Sequence, residues 1–237
     1  MRAWLPAVLL LTLLACTPNV RVAAVPGSDP GLASWPPPDQ ALQAASAAMA
    51  SLQSLREQVS TRTYRNDTLF LAIDAERAYV APDRRYERME GRSAVETVAG
   101  ETVMIGSRFF KRLGDGPWQQ LDWTETFTWP AAEYSFAGVR DVSYGGTDTI
   151  DGRTARILVL HHEGSAETRN AGWQFETRLW IDPQTGYFLR RETRGKYTEP
   201  DPVGGKATVQ RYEGTWVYRD HNGPIRIVEP SAAPEAR

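Results

Sequence analysis

With one cysteine in 237 residues, the chain has no internal disulfide to hold its fold together. Basic and acidic side chains nearly cancel, 27 against 29, and no Lys/Arg stripe stands out, which excludes an electrostatic affinity for nucleic acid or for an anionic lipid surface. A membrane-spanning run is also missing: the uncharged stretch from Leu5 to Ala15 falls well short of the roughly 20 residues a transmembrane helix needs. Histidines number three, and two of them, His161 and His162, are adjacent. Neighbours on a strand point to opposite faces, so that pair does not chelate a metal and reads as surface decoration. His221 lies beside Asp220 in a turn-like segment, with no serine in a nucleophile-elbow setting to accompany it. Carboxylates are dispersed among arginines, without a recognisable catalytic pair. The sequence therefore predicts no enzyme, no metal and no cofactor.

What is present starts at the N-terminus. Arg2 precedes the run Leu5 to Ala15, which has the length of a signal-peptide hydrophobic region. It ends in Leu13-Leu14-Ala15-Cys16, which resembles the lipobox of bacterial lipoproteins. A secreted chain with a single thiol has no disulfide partner for it, and the position of Cys16 points to lipidation; a plain secretory signal with an incidental cysteine is the alternative. Residues 1–15 are thus expected to be a signal peptide, and several acyl chains on Cys16 would hold the protein firmly to a membrane. Thr17 follows, so the Asp that retains enterobacterial lipoproteins at the inner membrane is absent. The expected location is extracytoplasmic, lipid-anchored to the cell membrane or outer membrane.

Residues 16–38 are rich in Pro, Gly, Ala and Ser and end in Pro36-Pro37-Pro38, the composition of a tether. Residues 39–230 read as one folded domain and 231–237 as a loose tail. Asp39 is placed to cap a helix with apolar positions Leu42, Ala45, Met49, Leu52, Leu55 and Val59, ended by Ser60-Thr61. Beyond residue 60 the pattern turns to strands. Leu69, Leu71 and Ile73 alternate with their neighbours, Val103 and Ile105 flank Met104, and Trp173, Phe175, Leu179 and Ile181 share one parity. Turns are predicted at Pro82-Asp83, Glu90-Gly91, Gly114 to Pro117, Gly145-Gly146, Asp151-Gly152, Asp182 to Gly186 and Asn222-Gly223-Pro224. A short lid or plug is expected at Thr124 to Ala137, with Phe127 and Trp129 in it and Trp118 and Trp123 nearby. The charged run Arg84 to Arg88 suits an open sheet edge. About ten antiparallel strands with one helix give an α+β class: a strongly curved sheet forming a half-open β-barrel wrapped around the N-terminal helix.

The order of helix, Ala78-Tyr79-Val80-Ala81-Pro82-Asp83-Arg84, Ile105-Gly106 with Phe109-Phe110, Gly116-Pro117-Trp118 and Trp180-Ile181-Asp182-Pro183-Gln184-Thr185-Gly186 resembles the LolA/LolB and LppX/LprG group of envelope lipoproteins. The resemblance implies an open half-barrel with a hydrophobic cavity for acyl chains. The lipobox departs from LolA, a soluble carrier, and favours the membrane-anchored relatives.

A large half-barrel leaves a cavity, and shielding acyl chains from water requires little besides apolar area. Binding or transfer of an acylated lipid or lipoprotein is therefore expected, with Leu42, Met49, Leu52, Leu69, Leu71, Ile73, Val103, Ile105, Phe175 and Leu179 lining the cavity. Each of these side chains equally suits a closed, dry core. The alternative function is a protein-binding or sensing lipoprotein of the envelope, for which the tryptophans near the lid would form the docking surface for an envelope protein partner.

Overall fold

A computed structural model of the protein describes residues 35–122, 134, 136, 139–163, 173–199 and 208–231. Pro36-Pro37-Pro38 leads into the first helix. Pro38 opens helix α1 (Pro38–Ala50), at the one helical position where a missing N–H costs nothing. The cap position is Pro37, and Asp39 falls in the first turn, where its charge still complements the helix dipole. The helix is also shorter than its apolar spacing predicts, because Ser51 bonds back to Ala48 and strand β1 (Ser54–Arg65) begins three residues later. Leu55 and Val59 therefore belong to a strand. Their four-residue spacing satisfies both periods, being one helical turn and also two steps on the same face of a strand.

The remaining strands are β2 (Thr68–Val80), β3 (Arg84–Ser93), β4 (Thr97–Ile105), β5 (Arg108–Leu113), β6 (Gln119–Leu121), β7 (Val139–Ile150), β8 (Arg153–Glu163), β9 (Gln174–Ile181), β10 (Phe188–Glu199) and β11 (Thr208–Arg219). They form one open antiparallel sheet of eleven strands, ordered β6-β5-β4-β3-β2-β1-β11-β10-β9-β8-β7. Two meanders thus meet along a single seam, β1 against β11. Asn66 and Asp67, both at left-handed φ, turn the chain between β1 and β2, and Asp151-Gly152 does the same between β7 and β8, as two-residue hairpins require.

Three sequence expectations are corrected. Glu90-Gly91 is no turn but the interior of β3, and Gly145-Gly146 lies inside β7, where the pairing slips by one residue at a bulge. Arg84 to Arg88 does not guard an edge, because β3 is flanked by β2 and β4; the edges are β6 and β7. The alternating charges of that run have another role. Arg85 and Glu87 point to one face and pair with each other, while Arg84 on the other face donates to the Ile227 carbonyl.

The ladder registers divide every strand into two faces. The inner face carries α1, whose Leu42, Ala45 and Met49 pack with Leu55, Tyr79, Leu158, Leu179, Phe188 and Tyr218 in the main core. On the outer face of β2 to β5, Ala78, Val103 and Phe110 form a second core under the C-terminal segment, through Ile225 and Ile227. An Arg108–Glu229 ion pair extends this cover. A third, smaller outer cluster joins Ala155, Trp180 and Leu189.

Candidate functional site: the inner face of the sheet

The inner face has a closed part and an open part. In the closed part, Met49, Leu52, Leu55, Tyr79, Leu158, Leu179 and Phe188 are shut off from solvent. Among them lies a buried acid, Glu57, at 2% exposure. Burial of a carboxylate is tolerated only with partners. Tyr134 donates to its Oε1, Tyr79 donates to its Oε2 at 3.3 Å, and Arg77 stands 3.8 Å from Oε2. Arg77 continues to Glu87 at 3.3 Å, and Arg85 reaches the same carboxylate at 2.6 Å. Burial alone would raise the Glu87 carboxyl, but the two guanidiniums and their hydrogen bonds outweigh it and hold it below its ordinary value. Burial, with the Glu57 charge added, pushes the Tyr134 phenol well above its usual range.

In the open part, Trp173, Phe175, Tyr197 and Tyr212 form a contiguous set of half-buried rings across β9, β10 and β11, with centroids 5.5 to 6.5 Å apart. Two glycines make room for this arrangement. A Cβ on Gly195 would run into the Gln174 carbonyl and the Phe175 ring, and one on Gly214 would lie 2.6 Å from the Trp216 ring. Between the closed core and this shelf stands Arg191, over the ring of Trp216 at 4.1 Å and facing that of Phe136 at 5.9 Å. Its Nε donates to Thr193 Oγ1 at 3.3 Å. His162 faces inward on β8, and its Nε2 is buried without a hydrogen-bond partner. Desolvation, helped by the charge of Arg191 and by His161, depresses its pKa to about 4. The adjacent pair does split between faces, but His162 is no surface decoration.

The other wing of the inner face carries exposed apolar side chains beside polar ones such as Lys111 and Gln119. Leu69, Val98, Leu113 and Leu121 are 39–56% exposed, on β2, β4, β5 and β6, and the register turns all four inward.

The predicted lining residues are distributed as follows. Leu42, Met49, Leu52 and Leu179 meet in the closed core. Ile73, Leu71 and the exposed Leu69 run along the inner face of β2 towards its open end, and Phe175 belongs to the aromatic shelf. Val103 and Ile105 are corrected to the outer face, because β4 presents its even-numbered residues inward, beside Arg85 and Glu87 of β3. Phe127 and Trp129 of the expected lid lie outside the described residues, as do Trp123 and Cys16. Trp118 packs on the outer core beneath Arg112. Arg191, Tyr212 and the two inward glycines were not foreseen. The signal for them was the parity Arg191, Thr193, Gly195, Tyr197, hidden by the charged outer neighbours Arg190, Glu192, Arg194 and Lys196.

A hollow of about 610 Å³ crosses β8 to β11, but on the outer face. Its floor is the row His162, Phe175, Gly195, Tyr212, seen from behind, and its banks are the outward side chains on either side of that row, such as Glu176 and Arg194. It is a trough between charged cross-strand rows, separate from the inner face. Among the described residues, no group of three or more His, Cys, Asp or Glu is placed to hold a metal ion, and no helix is long and apolar enough to cross a membrane.

No family model matches the sequence, and no curated protein matches it. Solved structures do. LprF from Mycobacterium bovis aligns at TM-score 0.51 and 15% identity, over 82% of this chain and 96% of LprF. The lipoprotein LppX from Mycobacterium tuberculosis aligns at 0.44 and 16%, over 85% and 100%. A LolA superfamily protein from Nitrosomonas europaea aligns at 0.31 and 13%, over 80% and 94%. The chain shares the fold of LprF.

Proposed function

We propose that this protein is a membrane-anchored bacterial envelope lipoprotein, cut before Cys16 and acylated there, that binds or transfers an acylated lipid or lipoprotein. In this reading the sheet curves into a half-open barrel around α1, and acyl chains lie on the inner face. The observation that carries it is the wing of exposed apolar side chains, with Leu69, Val98, Leu113 and Leu121 facing the same side as the core and the aromatic shelf. Exposed apolar side chains gathered on one face offer a binding surface, and an acyl chain gains about 0.8 kcal/mol per methylene placed on it. The residues of the closed core position this surface, and Leu71, Ile73 and Phe175 lead from one part to the other. Binding, not catalysis, is the role this reading assigns to the inner face.

The test uses the full chain carrying Cys16→Ser, collected after secretion and extracted into organic solvent for mass spectrometry. A stoichiometric acylated lipid supports the reading and names its class. A lipid-free protein that also fails to take up a fluorescent fatty acid overturns it, in favour of a protein-binding lipoprotein. In parallel, the unsubstituted chain should partition with membranes and carry the added mass of acyl groups, and Cys16→Ser should abolish both.

A further inference from the structure

We infer that Arg191 is the receptor for an anionic head group, so that the inner face selects an amphiphile carrying a carboxylate or phosphate over a neutral one of equal chain length. The inference rests on the acyl-binding reading above and adds the chemistry of the ligand's polar end.

The contrast between the two faces of β10 carries the argument. On the outer face, Arg190 and Arg194 both pair with Glu192, which stands between them. On the inner face, one residue away, Arg191 has the ring faces of Trp216 and Phe136 and a single hydrogen bond to a threonine hydroxyl. Among the described residues no carboxylate pairs with it. A guanidinium presents five N–H donors in a planar fork suited to two oxygens of one anion, and among the described residues only one donor is used here. Holding such a charge half-buried and without a counter-ion is unfavourable, and an anion arriving with its own negative charge removes that cost.

The surroundings fit the same ligand. Arg191 is placed where the closed core ends and the aromatic shelf begins, so an amphiphile lying on the shelf brings its polar end to the guanidinium. Trp216 supports the cation from below, since Gly214 lets its indole lie flat. His162, within electrostatic reach of Arg191, contributes a buried Nε2 with no partner, and Tyr212 a phenol on the same face. An anionic oxygen or its bound water can hydrogen-bond to either group.

The experiment measures binding of dodecanoate, dodecyl phosphate and dodecanol, each below its micellar concentration, to the full Cys16→Ser chain by quenching of its tryptophans and by calorimetry. At least one anion should bind about tenfold or more tightly than dodecanol, the scale of one charge-assisted hydrogen bond. Preference for the phosphate, for the carboxylate or for both identifies the head group. Arg191→Gln should erase the preference while dodecanol affinity stays the same, and Arg191→Lys should keep part of it. Equal affinity of the unsubstituted Arg191 protein for all three overturns the inference, whether or not the variants fold, while leaving acyl binding intact. Failure of all three to bind overturns the acyl-binding reading itself.

Discussion

The two parts of the inner face are built from similar residues to opposite ends. In the closed part, aliphatic side chains from α1 and from strands on both sides of the seam interlock, and the one acid among them is satisfied by two phenols and a guanidinium. In the open part, aliphatic side chains of the β4 to β6 wing are exposed, the aromatic rings touch one another without closing, and among the described residues Arg191 has no carboxylate partner and His162 Nε2 no hydrogen bond. In the proposed reading, stability resides in the first part and binding in the second, and strands β8 to β11 contribute to both.

The sharpest way to test that division is a matched pair of truncations. Leu52→Ala and Leu179→Ala each leave a cavity in a fully buried site and should cost about 2–5 kcal/mol in urea unfolding, whereas Leu113→Ala should cost less than about 0.5 kcal/mol and weaken acyl-chain binding instead. Equal effects on stability would erase the distinction.

Next comes the pH dependence of His162. Its folded pKa, about 4, lies below the ordinary 6.5, so between those values the unfolded chain binds more protons than the folded one. Its contribution is therefore complete above about pH 6.5 and is lost as pH falls towards 4, by up to about 3 kcal/mol for a shift of this size. His162→Phe should flatten the stability profile across that window, as measured by unfolding at a series of pH values against the unsubstituted protein; an unchanged slope would mean that the imidazole is hydrated.

A smaller effect is expected at Gly195. Ala there places a Cβ against the Gln174 carbonyl and the Phe175 ring, which should cost about 1–3 kcal/mol and move the shelf's near-ultraviolet dichroism, with amide exchange of the closed core retained. The smallest change in stability belongs to Phe175→Ala, about 1 kcal/mol for a half-buried ring, with a larger loss in acyl-chain binding.

Much of this architecture is visible in the residue pattern, and the exceptions have physical causes. Helix α1 and strand β9 follow from periodicity, and Asp151-Gly152 and Asp182 to Gly186 mark their turns because the residues suit left-handed φ. Strand β1 was masked by the spacing of Leu55 and Val59, which fits both periods. Gly91 and Gly145 look like turn residues, yet sit within strands. At Gly145 the reason is explicit, since a Cβ would fall 2.8 Å from Val159 on the neighbouring strand. The placement of Val103 and Ile105 depended on which face of β4 turns inward, and alternation alone gives two faces without saying which is which. The second outer core under Ile225 and Ile227 adds to the ambiguity, because it makes both faces apolar there. Arg191 was unreadable for the converse reason: in a run as charged as Arg190 to Arg194, nothing local distinguishes the arginine that has a counter-ion from the one that does not.

The seam between β1 and β11 has a consequence for how the chain is made. Ten residue pairs, Arg56↔Arg219 through Arg65↔Gln210, join the first strand of the sheet to its last. Every other neighbour in the sheet is adjacent in the chain, so each meander can assemble from local hairpins as it emerges. The seam alone must wait for the final strand, and until then β1 presents an unpaired edge that attracts other chains. Asn222 then fastens the junction, its Oδ1 accepting from the Gln53 amide at 2.7 Å and its own N–H donating to the Ser54 carbonyl at 2.9 Å. The order of synthesis thus makes the middle of the finished sheet the last part of it to form.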